Sequence, residues 1–323
     1  MKYVRLGRSG LEVSPLCLGT MNFGPWTSEP EAHEILDRAL EAGINFIDTA
    51  NVYGGRDHKG LSEEIIGRWY AGSPERRRKT VLATKVYGRM SPWPGDSGLS
   101  ARHIVRACED SLRRLRTDHI DVYQMHHVDR AVGWDEIWQA MERLVLAGKV
   151  LYVGSSNFAG WQLVQAQERA GARHLLGLVS EQSLYNLAER TVELEVLPAA
   201  RECGLGVLAW SPLHGGALGG VLSTSQGGRS AGGRAERYLR TGRDRIAGFE
   251  RLCADLGQDP GQVALAWLLH QDGVTAPVIG PRTTAQVKEI LAVPDLSLDT
   301  DTLSRLDELF PGPGNHAPEA YAW

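Results

Sequence analysis

The chain has 323 residues, 42% of them hydrophobic and 23% charged, with a formal net charge of -4. That is the composition of an ordinary globular chain able to build a large core, as one domain or two, and its acidic balance argues against a nucleic-acid partner, which calls for a basic excess on one face. No run of about 18 apolar residues occurs, so no membrane partner or spanning helix is expected.

The four cysteines, Cys17, Cys108, Cys203 and Cys253, form no C-x-x-C, so neither a zinc site nor a redox pair is suggested. With the polar start MKYVRLGRSGLEV, this cysteine-poor chain reads as reduced and cytoplasmic.

The opening YVRLGRSGLEVS alternates apolar residues around Arg8-Ser9-Gly10 and predicts a β-hairpin. Short apolar runs then alternate with stretches of helical period. PLCLG from residue 15 precedes a helix over 29–42, and INFID from 44 precedes one over 61–70. The charged run Glu75 to Lys79 reads as a helix cap or a loop before TVLATK from 80, which is followed by a helix over 100–116. HIDVYQM from 119 leads to a helix over 134–147, KVLYVGS from 149 to one over 159–170, and LGLVSEQ from 176 to one over 192–203. LGVLAW from 205, a helix over 260–271, VTAPVIG from 274 and a helix over 284–292 complete the series. Eight strand–helix units at near-regular spacing predict an α/β fold, a (β/α)8 TIM barrel with an N-terminal β-hairpin and extra helices, as a single domain over 1–323. A doubly wound sheet would need fewer strands or a second domain. Residues 214–242, rich in Gly and Ser, read as a long mobile loop at one barrel end, with an extra helix near 243–257 and a tail helix over 299–310.

Such barrels carry their chemistry at the C-terminal ends of the strands. There the chain places Asp48 with Tyr53 beyond it, then Lys85, His126, Ser156 and Asn157, Gln182, and Trp210 with Ser211. Singly, each has a plain reading: Asp48 as a cap, Lys85 as a solvated charge, His126 as a hydrogen-bonded structural residue. Together, four of them make an acid. A tyrosine with its ordinary pKa of about 10 is a poor acid at neutral pH. A neighbouring lysine is expected to lower that value, an aspartate to hold the lysine, and a histidine to orient a carbonyl. The hydride must come from a cofactor.

The ordered set DTANVYGG with SEEIIG, LATK, DVYQMH, VGSSN, EQSLYN, AWSPL and VIGPRTTAQVKE resembles the aldo-keto reductase family along essentially the whole chain. The resemblance implies a catalytic tetrad of Asp48, Tyr53, Lys85 and His126, with Tyr53 the proton donor and NADP(H) the cofactor. It further implies that Gly19, Thr20 and Met21, together with Asp48, line the nicotinamide side. Ser156, Asn157 and Gln182 would bind the carboxamide, and Trp210 would stack on the ring. Ser211, Pro212, Leu213 and Gly216 would follow the pyrophosphate, and Gly280, Arg282, Gln286 and Glu289 would reach the adenosine end. Arg282 suits a 2'-phosphate, which favours NADP over NAD. Ile290 stands where many relatives have Asn. No G-x-G-x-x-G or Walker A competes, and HGGALGG reads as a flexible cover over the pyrophosphate. No metal site is expected, because His126 and His127, adjacent on a strand, point to opposite faces.

Several phrases, including YQMHHVDR and AWSPLHGG, resemble reductases of bacterial deoxysugar pathways that act on nucleotide-linked 4-keto-6-deoxyhexoses. The expected partner is thus a small-molecule carbonyl such as a nucleotide-linked sugar; no feature specifies an oligomer. On the substrate side the candidates are Trp26, Trp93 and His127, beside Tyr53 and His126, with Arg56, His58, Lys59, Arg130 and His214 as further cations and imidazoles around them. The alternatives are a broad-specificity aldehyde and ketone reductase, with the same site, and an NADPH-sensing binding module.

Overall fold

The structure is a computed structural model that describes residues 1–223 and 233–318. Residues 224–232, the middle of the expected long loop, lie outside the described residues.

Strands β1 (Val4–Arg5) and β2 (Glu12–Val13) pair antiparallel as the expected hairpin. Eight parallel strands follow: β3 (Cys17–Gly19), β4 (Phe46–Asp48), β5 (Val81–Val86), β6 (Ile120–Met125), β7 (Val150–Ser156), β8 (Leu178–Leu184), β9 (Gly206–Trp210) and β10 (Val274–Ile279). They close in chain order, with β10 pairing both β9 and β3. These are the eight runs expected from the sequence. Their residues are almost all buried, because one face of each strand looks into the barrel and the other packs under a helix.

Around the barrel run α1 (Glu29–Glu41), α2 (Leu61–Ala71), α3 (Pro74–Arg78), α4 (Ala101–Leu115), α5 (Trp134–Leu146), α6 (Gly160–Gly171), α7 (Val196–Glu202), α8 (Arg234–Asp255), α9 (Pro260–Leu269), α10 (Thr284–Ile290) and α11 (Thr300–Leu309). Ser100, Asp259, Thr283 and Asp299 cap α4, α9, α10 and α11 by accepting a backbone N–H. Two apolar clusters result among the described residues. The larger lies between strands and helices. The smaller, including Phe46, Val122, Val179 and Leu208, fills the barrel and is plugged from below by Leu6 and Val13 of the hairpin region.

Three stretches differ from the sequence reading: Glu75 to Lys79, read as a cap or loop, lies mostly within the short helix α3, and two other helices have different bounds. The helix expected over 192–203 is a 3-10 turn, Thr191–Glu193, followed by α7. Pro198 explains the restart: it lacks an N–H and fits only the first turn of a helix. The extra helix expected near 243–257 begins at Arg234, so residues 234–242 are helical and not loop. Ala235, Gly242, Ile246, Phe249 and Cys253 form its buried stripe. Gly242, which suggested a loop, is a packing position instead: a β-carbon there would lie 2.6 Å from Cε1 of Tyr238, one turn earlier in α8.

Candidate active site

The site is built on the register of five neighbouring strands. Asp48 ends β4, Lys85 on β5 pairs with Gln124 on β6, Gln124 pairs with Gly154 on β7, and Ser156 pairs with Gln182 on β8. Lys85 is fully buried. Its Nζ donates to Asp48 Oδ2 at 2.5 Å, to the carbonyl of Thr49 at 2.9 Å and to Tyr53 Oη at 3.3 Å. An ammonium has three hydrogens, and all three are committed. Tyr53 is carried by the turn after β4: its N–H donates to Ala50, and its carbonyl accepts from Gly60 and Ser62. The His126 ring stands edge-on to it, 5.9 Å between centroids. The four tetrad candidates therefore meet at one point.

The electrostatics overturn one expectation. Tyr53 lies above the ordinary tyrosine value, not below it. Burial, which disfavours the phenolate, is the largest influence; Lys85 pulls the other way and Asp48 adds to the rise. Tyr53 is thus a protonated phenol at neutral pH. Because its oxygen accepts from Lys85, its own hydrogen is free to be given. For Lys85, burial pushes the value down, but Asp48 and Tyr53 push harder, and the ammonium is held above its usual range. His126 is pushed down to about 3 by burial, then by Lys85 and His127, so it is a neutral imidazole at any working pH.

Asp48 holds more than the lysine. Its Oδ1 accepts from Gln124 Nε2 and from Gln182 Nε2, each at 2.9 Å. Sequence reasoning missed Gln124. The signal was present: in DVYQMH it stands two residues before His126, hence on the same strand face.

The expected carboxamide group is only partly open. Asn157, at the end of β7 with φ 60°, donates from Nδ2 to the carbonyl of His126 at 3.2 Å and to Ser156 Oγ at 2.9 Å. Its Oδ1 accepts from Trp210 Nε1 at 3.0 Å, and Ser156 Oγ donates to the carbonyl of Gln182 at 2.8 Å. This turn rests on Glu181, a fully buried carboxyl reached by the hydroxyls of Ser155 and Ser183 and by the Phe158 N–H. Burial pushes Glu181 up to about 7 against those hydrogen bonds.

The other candidates ring the mouth. Gly19 pairs with Asp48 across β3 and β4. Thr20 is buried, its hydroxyl donating to the Asp48 carbonyl, whereas Met21 is exposed. Asn22 donates to the Gly280 carbonyl at 2.8 Å, which ties the loop after β3 to the loop after β10. In the latter, the Arg282 N–H donates to Gln286 Oε1 at 2.7 Å, and Gln262 donates to the Glu289 carbonyl. The Arg282 guanidinium lies 5.5 Å from the Trp26 ring, so Trp26 is brought against Arg282. After β9, Ser211 (φ 54°) and His214 (φ 48°) turn the chain through Pro212, Leu213 and Gly216. His214 is buried against Tyr238, 4.7 Å between ring centroids. Arg234, a second residue missed in the sequence, lies 4.8 Å from the Trp210 ring. Trp93 is 77% exposed on the loop after β5, and His127 is exposed, 5.5 Å from the Tyr87 ring. Lys59 donates to the Arg89 carbonyl at 2.5 Å and His58 faces Glu64 at 3.3 Å, so both are engaged within the protein; Arg56 and Arg130 are exposed.

Comparison with known proteins shows the family. The profile of the Aldo/keto reductase family matches residues 15–310. The chain is 53% identical, over the full length of both, to the uncharacterized oxidoreductase YrpG of Bacillus subtilis. It is 34% identical to the norsolorinic acid reductase stcV of Emericella nidulans, covering 94% of this chain and 80% of that one. It is 32% identical to a probable voltage-gated potassium channel subunit beta of Arabidopsis thaliana, covering 92% of each. The chain belongs to the aldo/keto reductase family and is an NAD(P)-dependent oxidoreductase.

Proposed function

We propose that this oxidoreductase is an NADPH-dependent carbonyl reductase in which Tyr53 protonates the carbonyl oxygen. The observation that carries the reading is the Asp48–Lys85–Tyr53 chain with neutral His126 at its edge. Lys85 orients Tyr53 Oη and favours the negative charge left when the proton departs. Asp48 keeps Lys85 charged in a buried place. His126, having no charge to lose, directs a carbonyl oxygen toward the phenol by hydrogen bonding.

The residues fit a nicotinamide cofactor. Among the described residues nothing donates to Gln182 Oε1, and Arg282 Nε is buried without a partner. Gln182 and Asn157 would face the carboxamide, Trp210 the ring and Arg282 the 2'-phosphate; bound NADPH supplies the hydride.

For the substrate we infer a nucleotide-linked keto-deoxysugar. The exposed rings of Trp26 and Trp93 and the exposed cations Arg56 and Arg130 offer stacking and charge to a nucleotide. A second reading, a reductase of broad aldehyde and ketone range, draws on the relative named for norsolorinic acid. A third, an NADPH-sensing module, draws on the relative named as a channel subunit. One experiment separates the three: NADPH consumption across a panel holding a nucleotide-linked keto sugar and simple aromatic aldehydes. Preference for the sugar in kcat/KM supports the first reading, aldehydes favoured by orders of magnitude support the second, and negligible turnover throughout supports the third.

A further inference from the structure

We propose that Gln124 is a positioning residue that pins the side-chain amide of Gln182, so that Gln182 offers its oxygen to the nicotinamide carboxamide and accepts an N–H from it. The inference rests on the reading of this site as an NADPH site.

The carboxylate of Asp48 dictates the arrangement. An ionised carboxylate only accepts hydrogen bonds. Oδ2 is taken by Lys85, so any amide 2.9 Å from Oδ1 must present nitrogen. That fixes both glutamines without reference to their electron-rich ends. With its nitrogen on Asp48, Gln124 turns its oxygen toward Gln182 Nε2, 3.4 Å away. The Gln182 nitrogen has two hydrogens: one goes to Asp48 and one to Gln124. Its oxygen receives nothing from the described residues. By contrast, the amide nitrogen of Asn157 and the hydroxyl of Ser156 are already engaged within the turn.

The room for this bridge is built into the barrel. Gln124 must reach from β6 past β7 to a residue on β8. The residue of β7 in register with it is Gly154, where a β-carbon would lie 3.1 Å from Gln124 Cγ and 2.7 Å from Ser180 Oγ. The missing side chain leaves the gap through which Gln124 passes. Gln124 is fully buried, and no water is required to complete the bridge. The residue that would hold the carboxamide is thus tied, through one carboxylate, to the lysine that serves the acid.

The test uses binding, not turnover. NADPH and its 3-acetylpyridine analogue, in which a methyl group replaces the carboxamide nitrogen, are titrated by fluorescence quenching into the wild type and Gln124→Met. An oxygen presented by Gln182 loses its donor in the analogue, so the wild type binds it about tenfold more weakly or worse. Released from Gln124, Gln182 keeps one anchor and can swing its oxygen to solvent. In the variant, NADPH binding weakens about threefold to tenfold, and the preference over the analogue falls to about threefold or less. Failure of the wild type to bind NADPH at all overturns the cofactor reading. Wild-type binding of NADPH with no discrimination against the analogue overturns the orientation of Gln182. An unchanged ratio in a folded Gln124→Met overturns the role of Gln124. Should that variant not fold, side-chain amide NMR of the free wild-type enzyme decides: both Gln182 amide protons exchange slowly if they are held by Asp48 and Gln124, and a freely rotating amide refutes the proposal.

Discussion

Replacing Lys85 by methionine tests the site as a set of charges before any chemistry is considered. The change keeps an unbranched apolar stem, one atom shorter, and removes the ammonium. Asp48, itself only 2% exposed, is then left without a counter-charge. Breaking a buried pair from one side costs about 3–5 kcal/mol. Here Oδ1 still accepts from Gln124 and Gln182, so the expected loss lies near the lower bound, about 3 kcal/mol. The carbonyl of Thr49 also loses its donor, which works in the same direction. A second substitution isolates the charge: in Asp48→Asn/Lys85→Met no lone carboxylate remains, and about 2 kcal/mol or more returns. The assay is urea unfolding followed by far-UV circular dichroism for the wild type, both single variants and the double variant, at one pH and ionic strength. A Lys85→Met protein within about 1 kcal/mol of the wild type, or a double variant no more stable than it, refutes the view that Lys85 is held for its charge.

The remaining predictions concern the same mouth. Tyr53→Phe keeps the ring beside His126 and removes the donated proton, so turnover falls by about a hundredfold or more while NADPH affinity holds; unchanged kcat refutes the assignment. Arg282→Ala weakens NADPH by about tenfold or more and leaves NADH nearly unaffected, measured by fluorescence titration of each; equal losses remove Arg282 from the 2'-phosphate. Glu181 makes stability depend on pH. Its folded value, about 7, exceeds the ordinary 4.5. The folded state therefore binds this proton more tightly than the unfolded one, and the contribution is full below 4.5 and lost as pH rises through 7. The loss is about 3 kcal/mol. Glu181→Gln lacks this slope, so the stability gap between pH 5 and pH 8 narrows in urea titrations; parallel pH curves for the two proteins contradict it.

Much of this was legible because the barrel announces itself by repetition. Eight apolar runs gave eight strands, and the polar residues closing those runs gave Asp48, Lys85 and His126. What stayed hidden was of three kinds. Residues inside a doubly buried strand show no alternation, so Gln124 read as part of an apolar run and not as a side chain facing Asp48. Effects of depth were also hidden. The sign of the Tyr53 shift depends on how completely the phenol is buried, and adjacency to Lys85 says nothing of that. The early start of α8 was masked because the glycine-rich run up to Gly242 suggests a loop until the buried stripe from Ala235 to Cys253 is seen.

The upper layer of the barrel interior, Asp48, Lys85, Gln124 and Gln182, is held by hydrogen bonds where a purely structural barrel would hold aliphatic side chains. Exchanging a buried ionic group for well-packed apolar residues is often neutral or stabilising by about 1–4 kcal/mol. Under the proposed function, heat tolerance and catalysis therefore select in opposite directions at these four positions. A library of this chain that varies all four positions together and is screened for thermal survival alone would drift toward Leu, Met and Val there, yielding sturdier barrels without the proposed reaction, and a screen that keeps the four codons fixed would find its gains elsewhere.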